Sequence, residues 1–279
     1  ATALKYSPLL RSYNMSTIFK TTDLWPEIAA IVESDKLFSK LPTSLLSVSA
    51  DAKTVKGEKL GFLTGILYGS PANTCSPKWT MCALAKTAQC DVDCLVSAGR
   101  GRMPSVHRAR VRKTLYFKQY QQDFMLLLVK NINSLISKAA RKDLIPVVRL
   151  CGTWDVQWEK VYFEYKGNTV TIFDVFPSLD MYDYTKIPGR KVPANYHLTF
   201  SYSGAAKFQK VIQKQLTKDP KINVAVVFQG TQPAEFLGRK LISGDDSDVR
   251  FLDEHFSIVA LTAKGLAKTS NSPFIVKGA

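Results

Sequence analysis

The side chains best suited to chemistry fall between residues 75 and 113. Four of the five cysteines, Cys75, Cys82, Cys90 and Cys94, lie in this stretch. They run into Gly99-Arg100-Gly101-Arg102 and then His107-Arg108-Ala109-Arg110-Val111-Arg112-Lys113. Thiolates bind zinc and iron–sulfur clusters well, and three or four of them can hold a loop that has little regular backbone hydrogen bonding. The spacing Cys75-x6-Cys82-x7-Cys90-x3-Cys94 matches neither the CxxC pairs of zinc fingers nor the ferredoxin run. Three ligands on a four-iron cluster would leave one iron open to substrate or cofactor, as in radical enzymes, whose usual motif is tighter than this one. Four ligands would close a structural zinc. Disulfides and buried free thiols are the competing readings. An odd cysteine count without a secretory signal points to a reducing compartment, so a cytoplasmic location is expected.

The chain carries 38 Lys and Arg against 23 Asp and Glu, a formal charge of +15. Such a field attracts polyanions, and nucleic acid or a nucleotide is the expected partner. No acidic residue separates Asp93 from Asp123. Within that gap Arg100, Arg102, Arg108, Arg110, Arg112 and Lys113 are the expected phosphate-binding residues. Gly99 and Gly101 allow close backbone approach to an anion, and Ser105 after Pro104 can cap a helix whose N-terminus attracts phosphate. The plainer reading is a solvated helix, or arginines that neutralise thiolates. No run reaches the roughly eighteen apolar residues a membrane span needs, so no membrane partner is expected.

The elements that must position these groups follow from periodicity. Short apolar runs predict strands over 60–68, 145–151, 180–185, 196–203, 222–229 and 257–263. Helical spacing predicts helices over 104–118, 121–141 and 205–217. This alternation implies α/β units around a parallel sheet. With period two, His197, Thr199 and Ser201 share one side of their strand while Leu198 and Phe200 share the other. A strand buried on both faces would be apolar on both, so the pattern predicts a wet inner face. The expected fold is a single-domain, TIM-barrel-like parallel barrel, complete or open, with a cysteine-rich insertion. Residues 1–44 read as an N-terminal extension, with Met15 an alternative start. Residues 45–279 read as the barrel-like domain, with the metal or cluster loop at 75–103.

Barrel chemistry gathers at the carboxyl ends of the strands. That rule selects Asp155, Asp183, Lys186 and Lys264 as candidate catalytic residues, with Asp245, Asp246 and Asp248 in the Gly244–Arg250 turn. The structural alternatives are a helix cap at Asp155, a buried Asp183–Arg149 pair and a solvated acidic turn. His107, His197 and His255 are the three histidines, and none belongs to a recognisable triad.

Cys82, Cys90 and Cys94 with Leu95, then Ala98-Gly-Arg-Gly101, Arg108-Ala-Arg110 and Lys113-Thr114, resemble the bacteriophage proteins grouped as gene-product-88-like. Val148-Arg-Leu150, Gly152-Thr153, Tyr182-Asp-Tyr-Thr-Lys186, Tyr196-His-Leu-Thr-Phe200 and Gly244-Asp-Asp-Ser-Asp248 extend the resemblance over about residues 45–270. It implies phage origin and a three-thiolate cluster reminiscent of radical-type iron–sulfur barrels, with Cys75 and Cys151 outside the pattern. The leading expectation is thus a phage protein whose Cys82, Cys90 and Cys94, with Cys75 as an optional fourth ligand, hold a four-iron cluster beside bound nucleic acid or nucleotide. The alternative is a zinc-stabilised protein that binds nucleic acid or inhibits a host protein without catalysis.

Overall fold

Phe124, Leu128, Ile132, Leu135 and Ala139 recur every three or four residues and form the buried stripe of a long helix. Each fully buried apolar side chain of this kind contributes about 1.5–3 kcal/mol. The computed structural model describes residues 17–49, 52–91, 93–94 and 99–278. The first sixteen residues of the predicted extension, and Leu95 and Ala98 of the cysteine motif, lie outside these described residues.

In chain order the strands are β1 (Leu46–Val48), β2 (Phe62–Leu67), β3 (Ile145–Arg149), β4 (Phe163–Tyr165), β5 (Asn168–Val170), β6 (Met181–Thr185), β7 (Tyr196–Ser201), β8 (Val224–Gln229), β9 (Glu235–Phe236), β10 (Arg239–Ser243), β11 (Ile258–Thr262) and β12 (Ile275–Lys277). The helices are α1 (Pro26–Ser34), α2 (Ala52–Lys59), α3 (Ala85–Ala88), α4 (Pro104–Gln119), α5 (Gln121–Arg141), α6 (Ile172–Val175) and α7 (Gln209–Lys218). Every predicted strand and helix forms, with ends trimmed or moved by a residue or two; the 205–217 helix becomes a short 3-10 turn followed by α7.

The main sheet runs β1-β2-β3-β6-β7-β8-β11-β10-β9, while β4 and β5 form a separate hairpin. From β2 to β10 all neighbours are parallel; the edge strands β1 and β9 pair antiparallel. The predicted α/β domain with a largely parallel sheet is therefore correct. The closed barrel does not form among the described residues, because the antiparallel β1 and β9 end the ladder on each side. Side chains cross the gap instead. Lys56 Nζ of α2 donates to Asp245 O after β10 at 3.1 Å. Phe251 packs edge-on against Phe62 of β2 and Tyr182 of β6, and lies 5.3 Å from the His197 ring of β7. The segment before β11 thus covers the amino end of the inner face.

The two faces of the sheet differ. Helix α5 packs on β2 and β3 from outside, and its Leu135 would lie 2.9 Å from a Cβ at Gly65, which explains the glycine there. On α7, Ile212 joins Phe208 and Phe200 in a second outer cluster. The inner face carries Arg149, Tyr182, Tyr184, His197, Thr199 and Ser201. The β6–β7 register pairs Tyr182 with His197 and Tyr184 with Thr199, and Arg149 stacks over the Tyr184 ring at 4.9 Å. The polar side inferred from period two is therefore the concave one.

Strand β8 is shared at one edge. Its first residues pair with β7 and its last with β12. Where β7 leaves, Gly204 N donates to Pro273 O at 2.7 Å and Ser203 Oγ to Ala88 O at 2.6 Å. This departure makes room for the cysteine loop.

Candidate functional site

The cysteine loop is built on short backbone anchors. Met81 N donates to Ala72 O at 2.7 Å, Asp155 N to Met81 O at 3.0 Å, and Cys82 forms an isolated bridge with Asp155. Helix α3 ends at Gln89, whose φ of 53° turns the chain back toward Cys90. Ser272 Oγ donates to Gln89 O and Ser270 Oγ to Asp93 Oδ2, each at 2.7 Å. The loop is thereby tied to the carboxyl ends of β3 and β6 and to the segment before β12.

Cys82 lies in this frame with its Sγ accepting from Ala72 N at 3.2 Å. Burial pushes its thiol up to about 12, and Asp155, Cys94 and Cys90 push it the same way. Cys90 and Cys94 therefore both lie within electrostatic reach of Cys82. Cys75 differs. It is 1% exposed within the main apolar core, and burial pushes its thiol up to about 11. Cys151 is buried too, and its Sγ accepts from Trp158 Nε1 at 3.3 Å. Among the described residues no three His, Cys, Asp or Glu side chains stand in metal-holding geometry. The donor set still suits a thiolate-bound cluster: three soft, half-buried ligands lie in one loop, and a metal would deprotonate Cys82 despite its raised pKa. It suits a four-cysteine zinc poorly, since Cys75 faces the core.

Asp155 and Lys186 meet beside the thiols. Asp155 accepts from Thr185 Oγ1 at 2.9 Å and Lys186 N at 2.8 Å, and Arg190 Nη1 stands 3.6 Å away. Burial raises its pKa despite these partners. Lys186 Nζ donates to Ser201 Oγ at 2.8 Å and lies 4.7 Å from the centre of the Phe274 ring. Asp183 is fully buried and accepts from Cys151 N at 2.6 Å and Tyr196 Oη at 2.7 Å. Burial pushes it up to about 7, but both oxygens are occupied and no solvent reaches them. The Asp183–Arg149 pair weighed from sequence is not the one formed. Arg149 pairs with Asp248 at 2.9 Å, because Asp183 faces away from the inner side that Tyr182 and Tyr184 share with Arg149. Lys264 pairs with Asp245 at 2.7 Å, partly exposed, and Asp245 also caps Thr262 N. Lys264 and Asp245 therefore join the end of β10 to that of β11.

The predicted phosphate-binding residues separate into three groups. Arg100 and Arg102 are exposed on the 3-10 turn before α4. Arg108 pairs with Asp35 at 3.1 Å, Arg112 donates to Lys40 O and Leu41 O, and Lys113 donates to Leu45 O. These three hold the segment before β1. Arg110 is 9% exposed and faces Tyr68. Sequence reasoning missed Tyr68, the Arg190–Glu159 pair at 2.5 Å and the role of Asp248. Local pattern carried no signal for the last, since Asp248 is 99 residues from Arg149.

Residues 44–278 match the family described as Gene product 88. The chain belongs to this family. The bacteriophage resemblance read from the cysteine motif and its downstream segments is thus correct at family level. No curated protein and no solved structure matches the chain. Among the described residues no helix is long and apolar enough to cross a membrane.

Proposed function

We propose that Cys82, Cys90 and Cys94 hold a four-iron cluster at the mouth of an incomplete barrel, and that the protein acts there on a nucleotide or nucleic acid. The observation that supports this reading is that Cys90 and Cys94 lie within electrostatic reach of Cys82, itself bridged to Asp155, while Cys75 sits in the core. The barrel reading draws on the seven-strand parallel run and on the side chains that bridge its open edges. A bound cluster would supply one-electron chemistry at an iron that lacks a protein thiolate.

The chain's own residues have separable tasks. Asp155 uses both oxygens to fix the Thr185–Lys186 turn, which aims the ammonium of Lys186 toward Ser201. Lys186 provides a positive contact for an anionic substrate group at the mouth. Asp183 and Lys264 position backbone rather than substrate. Arg100 and Arg102 are left as the exposed phosphate contacts.

Anaerobic purification followed by metal analysis and visible absorption tests the proposal. Iron with acid-labile sulfide and a broad visible band, both lost in Cys82→Ala/Cys90→Ala/Cys94→Ala, is the expected outcome. One zinc per chain and a colourless solution would replace it with the structural, binding-only reading.

A further inference from the structure

Arg110 has no task in the arrangement above, and its surroundings are unusual for a cation. It is 9% exposed, and its Nε and Nη1 have no hydrogen-bond partner among the described residues. Its guanidinium lies 5.4 Å from the centre of the Tyr68 ring. No carboxylate of the described residues is paired with it. A buried charge left unpaired costs several kcal/mol, so this guanidinium is out of balance unless something joins it.

The segments around it are held in place. Thr114, one turn further along α4, accepts from Ser70 N at 2.8 Å and locks the 68–72 segment onto the helix. A Cβ at Gly152 would come 2.5 Å from Tyr68 Cδ1, so only glycine lets the ring lie where Arg110 meets it. Tyr68 also acts electrostatically on Arg149, as it does on Arg110. Beyond it, Arg149 Nε and Tyr184 Oη are buried and equally unpartnered. Arg149 is neutralised by Asp248; Arg110 has no such carboxylate among the described residues, and Tyr68 and Cys94 are the groups that favour its charge.

We infer that Arg110 receives the oxyanion of a small-molecule ligand, a carboxylate or terminal phosphate, while Tyr184 Oη and Arg149 Nε bind its uncharged polar part on the inner face. A planar guanidinium with unpartnered Nε–H and Nη1–H groups suits an oxyanion, and the bond is stronger out of water. A duplex backbone cannot reach a side chain this buried, which favours a small molecule. The inference rests on the preceding proposal only for where the ligand's far end lies, beside the thiols. The oxyanion site itself needs no cluster.

Calorimetric titration of the full chain with inorganic phosphate and, separately, with malonate tests it. Saturable binding of one probe is expected, and the one that binds identifies phosphate or carboxylate as the natural group. Arg110→Gln should weaken binding by about tenfold or more, the loss of one charged bidentate contact. Arg110→Lys, which keeps the charge in the fold, should fall between, and the control Lys130→Gln, exposed on α5, should match wild type. Absence of saturable binding by either probe, or undiminished binding in Arg110→Gln, overturns the inference and leaves Arg110 as a neutraliser of thiolates. Binding retained in the triple cysteine variant, with no iron in the wild-type protein, would support the oxyanion site while removing the cluster.

Discussion

On α4, Arg112 and Lys113 direct their donors at the carbonyls of Lys40, Leu41 and Leu45, whereas Arg110, two residues earlier, presents unpartnered N–H groups to the inner face. Two residues rotate a helix by about 200°, so Arg112 points away from Arg110, whereas Lys113, about 60° from Arg110, differs from it because Leu45 O takes up its ammonium. On one side charge is converted into structure: it fixes an irregular segment whose carbonyls would otherwise need water. On the other it remains available for a ligand. A run of arginines therefore marks a binding surface only where neighbouring backbone has not taken up its donors.

The strongest test of this contrast removes the structural side. Arg112→Ala with Lys113→Ala should lower unfolding free energy by about 2–4 kcal/mol, because three charge-assisted bonds to carbonyls are lost. The same variant should expose residues 35–45 to limited proteolysis. Stability within experimental error of wild type, by urea denaturation, would mean that the bonds to Lys40, Leu41 and Leu45 contribute nothing net and that the two sides of α4 do not differ.

A smaller effect distinguishes the sides by pH. Burial lowers the Lys113 pKa to about 8, from an ordinary value of 10.5. Between these values the unfolded chain binds more protons than the folded one, so Lys113 makes stability rise with pH. Below about 8 its penalty is fully present; above 10.5 it vanishes. Wild type should therefore gain stability relative to Lys113→Met as pH rises through this window. A constant difference between the two denaturation series would show that Lys113 keeps its ordinary pKa when folded.

The same contrast explains what could be read in the sequence. Periodicity located β2, β3, β6, β7, β8 and β11, because each has a run long enough to register; β1, β9 and β12, with two or three residues each, left no such trace. The polar inner face was legible because His197, Thr199 and Ser201 alternate with Leu198 and Phe200. Barrel closure was not, since it depends on what the edge strands do. At the site, the cysteine spacing left all four thiols open as ligands, and only the family resemblance set Cys75 apart; Cys75 lies buried in the main core. The arginines were read as one group because helical position alone does not reveal which carbonyls stand opposite. Those of Lys40, Leu41 and Leu45 come from a segment about seventy residues away in the chain.

The smallest expected effect on stability, and the sharpest on binding, concerns Arg100 and Arg102. They are exposed, so Arg100→Ala with Arg102→Ala should change unfolding free energy by no more than about 0.5 kcal/mol. If they contact phosphates, the slope of log affinity for nucleic acid against log salt should shrink by roughly 2, about one unit for each contact removed. Arg112→Ala, whose donors already serve Lys40 and Leu41, should leave that slope unchanged wherever the protein stays folded. An unaltered slope in the double variant would remove the turn before α4 from the interface. The charge of +15 would then have to act elsewhere, and the exposed Lys207 just before α7 with Lys210, Lys214 and Lys218 along it are the next set to neutralise.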